Sequence, residues 1–296
     1  MSSNEKIKFM TYNVWSNEHV AVYRRIQAIS DLISRHEPHV IFLQEVTEYI
    51  CSIFEEDHWW TQYKKFSSKD KNLGSSCWSS TTQESHFCLL LSKLNAGAYE
   101  CQSLWSPPPR AAATPPGLLS AMVYKPFPPE HPHVEFGPAH RVCAATCRLV
   151  PPTPTDVGAA ERRASAALFL EHFDVHGHGD VVLGGDFSWD EDLDGPLRLG
   201  PGWVDAWEEL RGGGGGGWTY DVAANPMLKG WRKPEMRKRP DRFLCMLRDF
   251  KLDRVEMVGV EPIPGVTHCD DTGNVLPVLP SHHFGLLLTI APQIHK

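Results

Sequence analysis

The sequence predicts a single α/β domain over residues 5–294, with two packed sheets and helices on their outer sides. Three observations predict it. A strand, an amphipathic helix and a second strand follow one another within about 40 residues at the N-terminus, which is typical of a crossover unit. Strand-like segments recur along the whole chain and outnumber the helical ones. The 296 residues, 42% of them apolar, are enough for one large core, and no linker divides them.

The crossover unit begins with an alternating strand over residues 7–13. Residues 20–36 have apolar side chains every three or four positions, which predicts an amphipathic helix that ends before Pro38. A buried strand over residues 39–44 and a short helix over residues 47–56 follow.

The remaining elements alternate with loops rich in proline, glycine or serine. Further strands are predicted over residues 85–92, 118–124, 142–149, 180–184, 241–247, 254–260 and 284–290, and a helix over residues 159–176. Loops are predicted over residues 67–84, 106–116, 126–138 and 151–158. Six consecutive glycines, Gly212 to Gly217, indicate a flexible insertion without chemistry of its own.

Composition restricts the class of protein. A formal net charge of −7 argues against a protein that coats nucleic acid non-specifically, but it does not exclude a local basic groove. The 8 cysteines include no CxxC pair, and several fall in apolar segments, which favours reduced, buried thiols over disulfides or zinc. The N-terminus has no hydrophobic leader, and no apolar run of about 18 residues occurs. We expect a soluble intracellular protein without a membrane partner.

Polar side chains follow the apolar strands at four places. Asp186 comes after a strand that breaks at Gly184-Gly185, Asn13 and Glu45 end the first two strands, and His282-His283 precede the last. Ligands of α/β proteins bind beyond strand ends, so these residues predict one metal-assisted phosphoryl-transfer site. Two of them have an ordinary alternative: Asp186 could be a turn residue, and Glu45 could stabilise a helix N-terminus.

Taken together and in order, these segments resemble the endonuclease/exonuclease/phosphatase superfamily, whose fold is a four-layer α/β/β/α sandwich. The motifs are Thr11-Tyr12-Asn13, Leu43-Gln44-Glu45, Gly185-Asp186-Phe187-Ser188 and Ser281-His282-His283. Within it, the sequence is most similar to the tyrosyl-DNA phosphodiesterase 2 family, particularly its plant forms. That similarity rests on MTYNVW (10–15), PHVIFLQEV (38–46), Trp59-Trp60, GWVDAW (202–207), WTYD (218–221), Asp241-Arg242-Phe243 and LPSHHFGLLLTI (279–290).

The resemblance implies a role for each residue. Glu45 would bind Mg²⁺ or Mn²⁺, Asp186 would position or deprotonate the attacking water, and Asn13 would orient that water. His283 would bind phosphate oxygens, with Asp241 supporting it from behind.

Contacts with DNA are expected from an aromatic residue and a basic segment. Trp218 would stack on the terminal base. Lys229, Arg232 and Arg242 would contact the phosphate backbone, although a basic segment is as often a solvated loop.

Three positions differ from the family pattern. His282 stands where the family has an acidic metal ligand, and imidazole suits softer ions than Mg²⁺. Ser188 replaces an asparagine and donates from a shorter arm. Arg148 aligns with a phosphate-binding histidine; it still binds phosphate but cannot transfer a proton.

The resemblance therefore implies a divalent-metal-dependent phosphodiesterase that hydrolyses 5′-phosphotyrosyl-DNA bonds, with activity weakened by Arg148, Ser188 and His282. One alternative is an inactive paralogue that binds DNA ends or a protein partner, and another is a different nuclease or phosphatase of the superfamily. A monomer in the nucleus, or also in the cytoplasm, is expected from the family.

Overall fold

The fold is known from a computed structural model, which describes residues 6–69, 86–98, 117–125, 140–152, 158–175, 177, 179–212, 216–229, 235–270 and 272–293. The strands are β1 (Ile7–Asn13), β2 (Val40–Val46), β3 (Lys64–Ser67), β4 (Phe87–Ser92), β5 (Asn95–Ala98), β6 (Leu118–Lys125), β7 (His140–Arg148), β8 (Val181–Asp186), β9 (Trp203–Asp205), β10 (Tyr220–Asp221), β11 (Arg237–Lys238), β12 (Asp241–Met246), β13 (Phe250–Val258), β14 (Thr267–Cys269), β15 (Val275–Pro277) and β16 (Gly285–Pro292). The helices are α1 (Val22–His36), α2 (Glu48–Glu55), α3 (Ala159–Val175), α4 (Glu191–Asp194) and α5 (Ala206–Arg211).

Most described strands belong to two mixed six-stranded sheets. The first has the order β13-β16-β1-β2-β4-β3, and the second has the order β5-β6-β7-β8-β12-β9. Each sheet contains one parallel pair, β1 with β2 and β7 with β8, and the other pairs are antiparallel. The helices α1 and α3 connect the two parallel pairs as crossovers. The crossover predicted at the N-terminus is confirmed, and a second one has the same design.

The two sheets pack face to face, with helices on both outer surfaces. An apolar cluster between the sheets includes Phe9, Phe42, Leu90, Val142, Val182 and Phe243. A second cluster joins α1 and α2 to the first sheet, and a third joins α3 to the second sheet. These three apolar interfaces separate four layers, so the predicted α/β/β/α sandwich is confirmed.

The Gly184-Gly185 pair is required by close packing rather than by an unusual backbone angle. A Cβ atom on Gly185 would lie 2.3 Å from the carbonyl oxygen of Cys147 on the neighbouring strand. A Cβ atom on Gly184 would lie 2.6 Å from the ring of Phe243. Side chains at these positions would push the strand that ends in Asp186 away from its neighbours.

Every predicted strand and helix corresponds to an observed element, with ends shifted by a few residues; β13 begins four residues before the predicted start of its strand. The short strands β3, β5, β9, β10, β11, β14 and β15 and the helices α4 and α5 were not predicted. The loops predicted over residues 106–116 and 126–138 lie outside the described residues, as do most of 67–84 and 151–158 and part of 212–217. None of the described helices has the length and apolar character needed to cross a membrane.

Candidate active site

The alternation of side chains along four strands brings polar residues together at one end of the sandwich. In β1, Ile7 and Phe9 point between the sheets, and Asn13 continues that row. The same period of two places Arg148 in line with Val142 and Ala144, Asp186 with Val182, and Asp241 with Phe243 and Cys245. Because the parallel pairs run in one direction and Asp241 pairs in register with Asp186, these side chains meet at the same edge.

Glu45 reaches the site through a break in its strand. The pairing of β2 with β4 shifts register between Leu43 and Val46, and Glu45 has a left-handed backbone with φ of 58°. Trp15 and Ser188 also have positive φ, at 61° and 48°. Left-handed backbone at a non-glycine residue costs about 1–3 kcal/mol and is concentrated at functional sites. Such a bulge turns Glu45 towards Asn13, away from the apolar row of Leu43.

Asp186 is held by hydrogen bonds to both of its oxygens. Asn13 Nδ2 donates to Asp186 Oδ2 over 2.8 Å and to Glu45 Oε1 over 3.0 Å. The backbone N–H of Ser188 donates to Asp186 Oδ1 over 2.7 Å, and the Ser188 hydroxyl lies 3.2 Å from that oxygen. The amide of Asn13 thus links the two carboxylates, and Ser188 fixes the orientation of Asp186.

His283 forms a buried pair with Asp241. His283 Nδ1 lies 2.7 Å from Asp241 Oδ2, and both residues are nearly inaccessible to solvent. Thr219 Oγ1 accepts from the backbone N–H of Asp241, while the Ser281 hydroxyl accepts from the N–H of His283 and donates to the Asn13 carbonyl. Burial opposes a charge on His283, but Asp241 outweighs it and raises the pKa of His283 to about 9. The imidazolium form, which attracts a phosphate, is therefore the main form at neutral pH.

This pair predicts a loss of stability at alkaline pH. The folded-state pKa of His283, about 9, lies above its ordinary value of 6.5. The charged form of His283 therefore contributes fully to the free energy of unfolding below about pH 6.5. This contribution, up to about 3 kcal/mol, is lost as the pH rises towards 9. Urea unfolding between pH 6 and 9.5 measures it. Asp241→Asn, which removes the cause of the raised pKa, should flatten this dependence; an equal slope in both proteins would contradict the assignment.

Glu45 is paired with Arg148. The Nε and Nη2 atoms of Arg148 lie 3.2 and 3.1 Å from Glu45 Oε1, and the backbone N–H and hydroxyl of Ser16 both lie 3.1 Å from Oε2. Burial alone would raise the pKa of Glu45, but His282, the Arg148 guanidinium and the Asn13 amide hold it well below its usual range. Glu45 is therefore a carboxylate whose two oxygens are both engaged.

His282 lies among aromatic rings. Its ring centroid is 5.3 Å from that of Trp15, 6.0 Å from that of Tyr220 and 4.3 Å from that of His283. Burial and the neighbouring His283 keep the pKa of His282 well below its ordinary value.

Three site residues were not assigned a role by sequence reasoning. Tyr220, in the WTYD motif, contacts His282 and His283, whereas the sequence resemblance assigns a role in that motif to Trp218, as the ring that stacks on the terminal base. Ser16 follows the MTYNVW motif, and Arg25 is fully buried and donates to the carbonyls of residues 14, 15, 17 and 20 beside the site. Only a helical position for Arg25 was visible in the sequence, because its partners lie in the irregular segment before α1.

Asp186, Asp241 and His283 are the group of acidic and histidine residues that could hold a metal ion within the described part of the chain. One ligand atom from each lies within 4.8 Å of the others, and all three are buried.

The predicted DNA-contacting residues have different surroundings. The prediction for Arg242 is wrong, because its side chain is 2% exposed and donates to the buried Asp205 and to the exposed Glu191 of the same chain. Lys229 is exposed and Trp218 is partly exposed, so both stay predictions, and Arg232 lies outside the described residues. A basic run is compatible with DNA contacts and with internal ion pairs alike, and here the second arrangement holds for Arg242.

A sequence model of the Endonuclease/Exonuclease/phosphatase family matches residues 10–232, more than half of the chain. The chain belongs to the endonuclease/exonuclease/phosphatase family. Members of this family are generally hydrolases of phosphoester bonds and typically depend on a divalent metal. A search of the curated proteins finds no significant match.

Solved structures of the endonuclease/exonuclease/phosphatase fold resemble the chain over almost its whole length. D. rerio TDP2 complexed with single strand DNA product matches with a TM-score of 0.64 and 16% identity, over 96% of this chain and 98% of that one. TDP2 from C. elegans matches with a TM-score of 0.66 and 16% identity, over 97% and 75%. The human Nocturnin catalytic domain matches with a TM-score of 0.57 and 14% identity, over 98% and 94%. At these identities the likeness establishes the fold, and the family model is what confirms the endonuclease/exonuclease/phosphatase resemblance inferred from the motifs.

Proposed function

We propose that this protein is a phosphodiesterase that hydrolyses 5′-phosphotyrosyl bonds at DNA ends, as needed to remove a trapped topoisomerase. The observation that supports it is the meeting of Asn13–Asp186 and Asp241–His283 at one end of the two sheets. A general base and a phosphate-binding imidazolium beside each other suit attack of water on phosphorus. The DNA product in the D. rerio TDP2 structure supports a nucleic-acid substrate.

The reaction assigns one task to each residue. Asp186, oriented by Asn13 and Ser188, accepts a proton from the attacking water while the oxygen of that water forms a bond to phosphorus. The imidazolium of His283 and the guanidinium of Arg148 neutralise the charge on the phosphate oxygens. The bond from phosphorus to the tyrosine oxygen breaks, and the phenolate leaves on the side opposite the water.

The residues assigned to Mg²⁺ or Mn²⁺, Glu45 and His282, do not fit a magnesium site. Mg²⁺ prefers carboxylate and water oxygens in octahedral geometry, and His282 offers an imidazole instead. Both oxygens of Glu45 already accept hydrogen bonds, two of them from a guanidinium. No step of the proposed reaction is therefore assigned to an ion at Glu45.

Contacts to the DNA strand are proposed for Trp218, Lys229 and Arg232. Lys229 and the partly exposed ring of Trp218 are on the surface, as such contacts require. A monomeric protein, located in the nucleus or also in the cytoplasm, is consistent with this function and is proposed from the resemblance alone.

The ion pair of Arg148 with Glu45 favours a second candidate function. A protein with this site could bind DNA ends, or a protein partner, without turnover, since it would lack the metal that family enzymes typically use. Both candidates use the same surface, and only the first requires a chemical step.

Single-turnover cleavage of an oligonucleotide with a 5′-phosphotyrosine tests the proposal. Reactions contain EDTA, Mg²⁺ or Mn²⁺, and matched oligonucleotides with a 3′-phosphotyrosine or only internal phosphodiesters report substrate choice. We expect release of tyrosine from the 5′ end alone. Cleavage of internal bonds would instead support another nuclease of the family. Tight binding with no cleavage under any condition would support the second candidate.

A further inference from the structure

The guanidinium of Arg148 approaches Glu45 in the way a cation would. Its Nε and Nη2 atoms both point at Glu45 Oε1, and the ion pair is only slightly accessible, with 17% and 10% of the two side chains exposed. Asn13 donates to the same oxygen, and Ser16 occupies Oε2. A carboxylate in this environment has its negative charge balanced by a group that belongs to the chain.

The position of Arg148 is fixed by the fold. It ends β7 on the row that faces the other sheet, in register with Asp186 on β8. Arg148 therefore lies opposite the end of β2, where the bulge at Glu45 directs its carboxylate inwards. Moving the guanidinium away would leave a buried carboxylate without its charged partner, which is unfavourable.

We propose that Arg148 is a built-in cation that replaces the divalent ion on Glu45 and excludes it. An ion and a guanidinium cannot both bind Glu45 Oε1, because their like charges would lie within a few ångströms of each other. The guanidinium supplies positive charge and hydrogen-bond donors but cannot lower the pKa of a bound water as a metal does. The inference concerns the site of the proposed function but does not depend on its substrate.

Binding of Mn²⁺ to the full chain without DNA tests the proposal, by titration calorimetry and by electron paramagnetic resonance of free Mn²⁺. We expect Arg148→Ala to bind one Mn²⁺ equivalent that the wild type does not bind, because the competing positive charge at Glu45 is removed. Adding Glu45→Gln to Arg148→Ala should remove that equivalent. Arg148→Lys keeps the charge and should gain none, and Arg141→Ala, an exposed arginine on the same strand, is the matched control.

Two results would overturn the proposal. One is a Mn²⁺ equivalent in the wild type that Glu45→Gln alone removes, since Arg148 would then not exclude the ion. The other is a folded Arg148→Ala protein with no additional equivalent. Where Arg148→Ala does not fold, as judged by circular dichroism, Arg148→Gln removes the charge and keeps a donor for Glu45. Because no DNA is present, failure here is separate from failure of the proposed hydrolysis.

Discussion

Replacing Asp186 with asparagine is expected to slow hydrolysis of a 5′-phosphotyrosyl oligonucleotide by a factor of about 10²–10⁴. The asparagine has the same size but cannot accept a proton from the attacking water. Both oxygens of Asp186 accept hydrogen bonds, one from Asn13 Nδ2 and one from the N–H of Ser188. The NH₂ group of the new asparagine is a donor, so it would lie opposite one of these donors without forming a hydrogen bond. Single-turnover rates of the two proteins measure the effect.

The control for Asp186→Asn is Asp192→Asn, which removes the same charge from an exposed residue a few positions along the chain. Its rate should equal that of the wild type. DNA ends should bind Asp186→Asn at least as well as the wild type, because a negative charge near the phosphate is removed. A rate for Asp186→Asn within about tenfold of the wild type would exclude Asp186 as the general base.

Asn13 and Asp186 could be predicted from the sequence because local pattern determines their position. Each ends an apolar strand, and the period of two settles which face the last side chain shares. The face and the end of its own sheet on which each side chain lies required no knowledge of the packing between the two sheets, whereas the hydrogen bond from Asn13 to Asp186 crosses from one sheet to the other.

The partner of Arg148 could not be predicted, because it depends on contacts between the sheets. Glu45 and Arg148 are 103 residues apart in the sequence. In addition, a bulge and a left-handed backbone at Glu45 change the face of the sheet on which its side chain lies, and the neighbouring residues do not indicate either feature. The same limit applies to Tyr220, whose ring contacts depend on a short strand that the sequence did not predict.

Arg242 shows the limit most clearly. Its partners Asp205 and Glu191 are 37 and 51 residues away, so the sequence of the basic run is the same whether its charges face DNA or carboxylates of the protein itself. Only the depth of β12 in the second sheet, between β8 and β9, separates the two possibilities.

Replacing Arg242 with alanine is therefore expected to lower the free energy of unfolding by about 3 kcal/mol. Its Nη1 lies 2.9 Å from Asp205 Oδ2, and Asp205 is 4% exposed. Arg239 also donates to Asp205, which places the loss at the lower end of the range for a broken buried pair. Lys229→Ala, an exposed member of the same basic segment, should change stability by less than about 0.5 kcal/mol. Urea unfolding of both variants measures the difference.

The two variants also separate a structural role from a DNA-binding one. Under conditions where Arg242→Ala is fully folded, it should bind an oligonucleotide like the wild type, while Lys229→Ala should bind more weakly and with a smaller dependence on salt. A stable Arg242→Ala protein with weakened DNA binding would return Arg242 to the phosphate-contacting residues. That result would require its guanidinium to leave Asp205, and Asp205 would then keep Arg239 as a charged partner inside the protein.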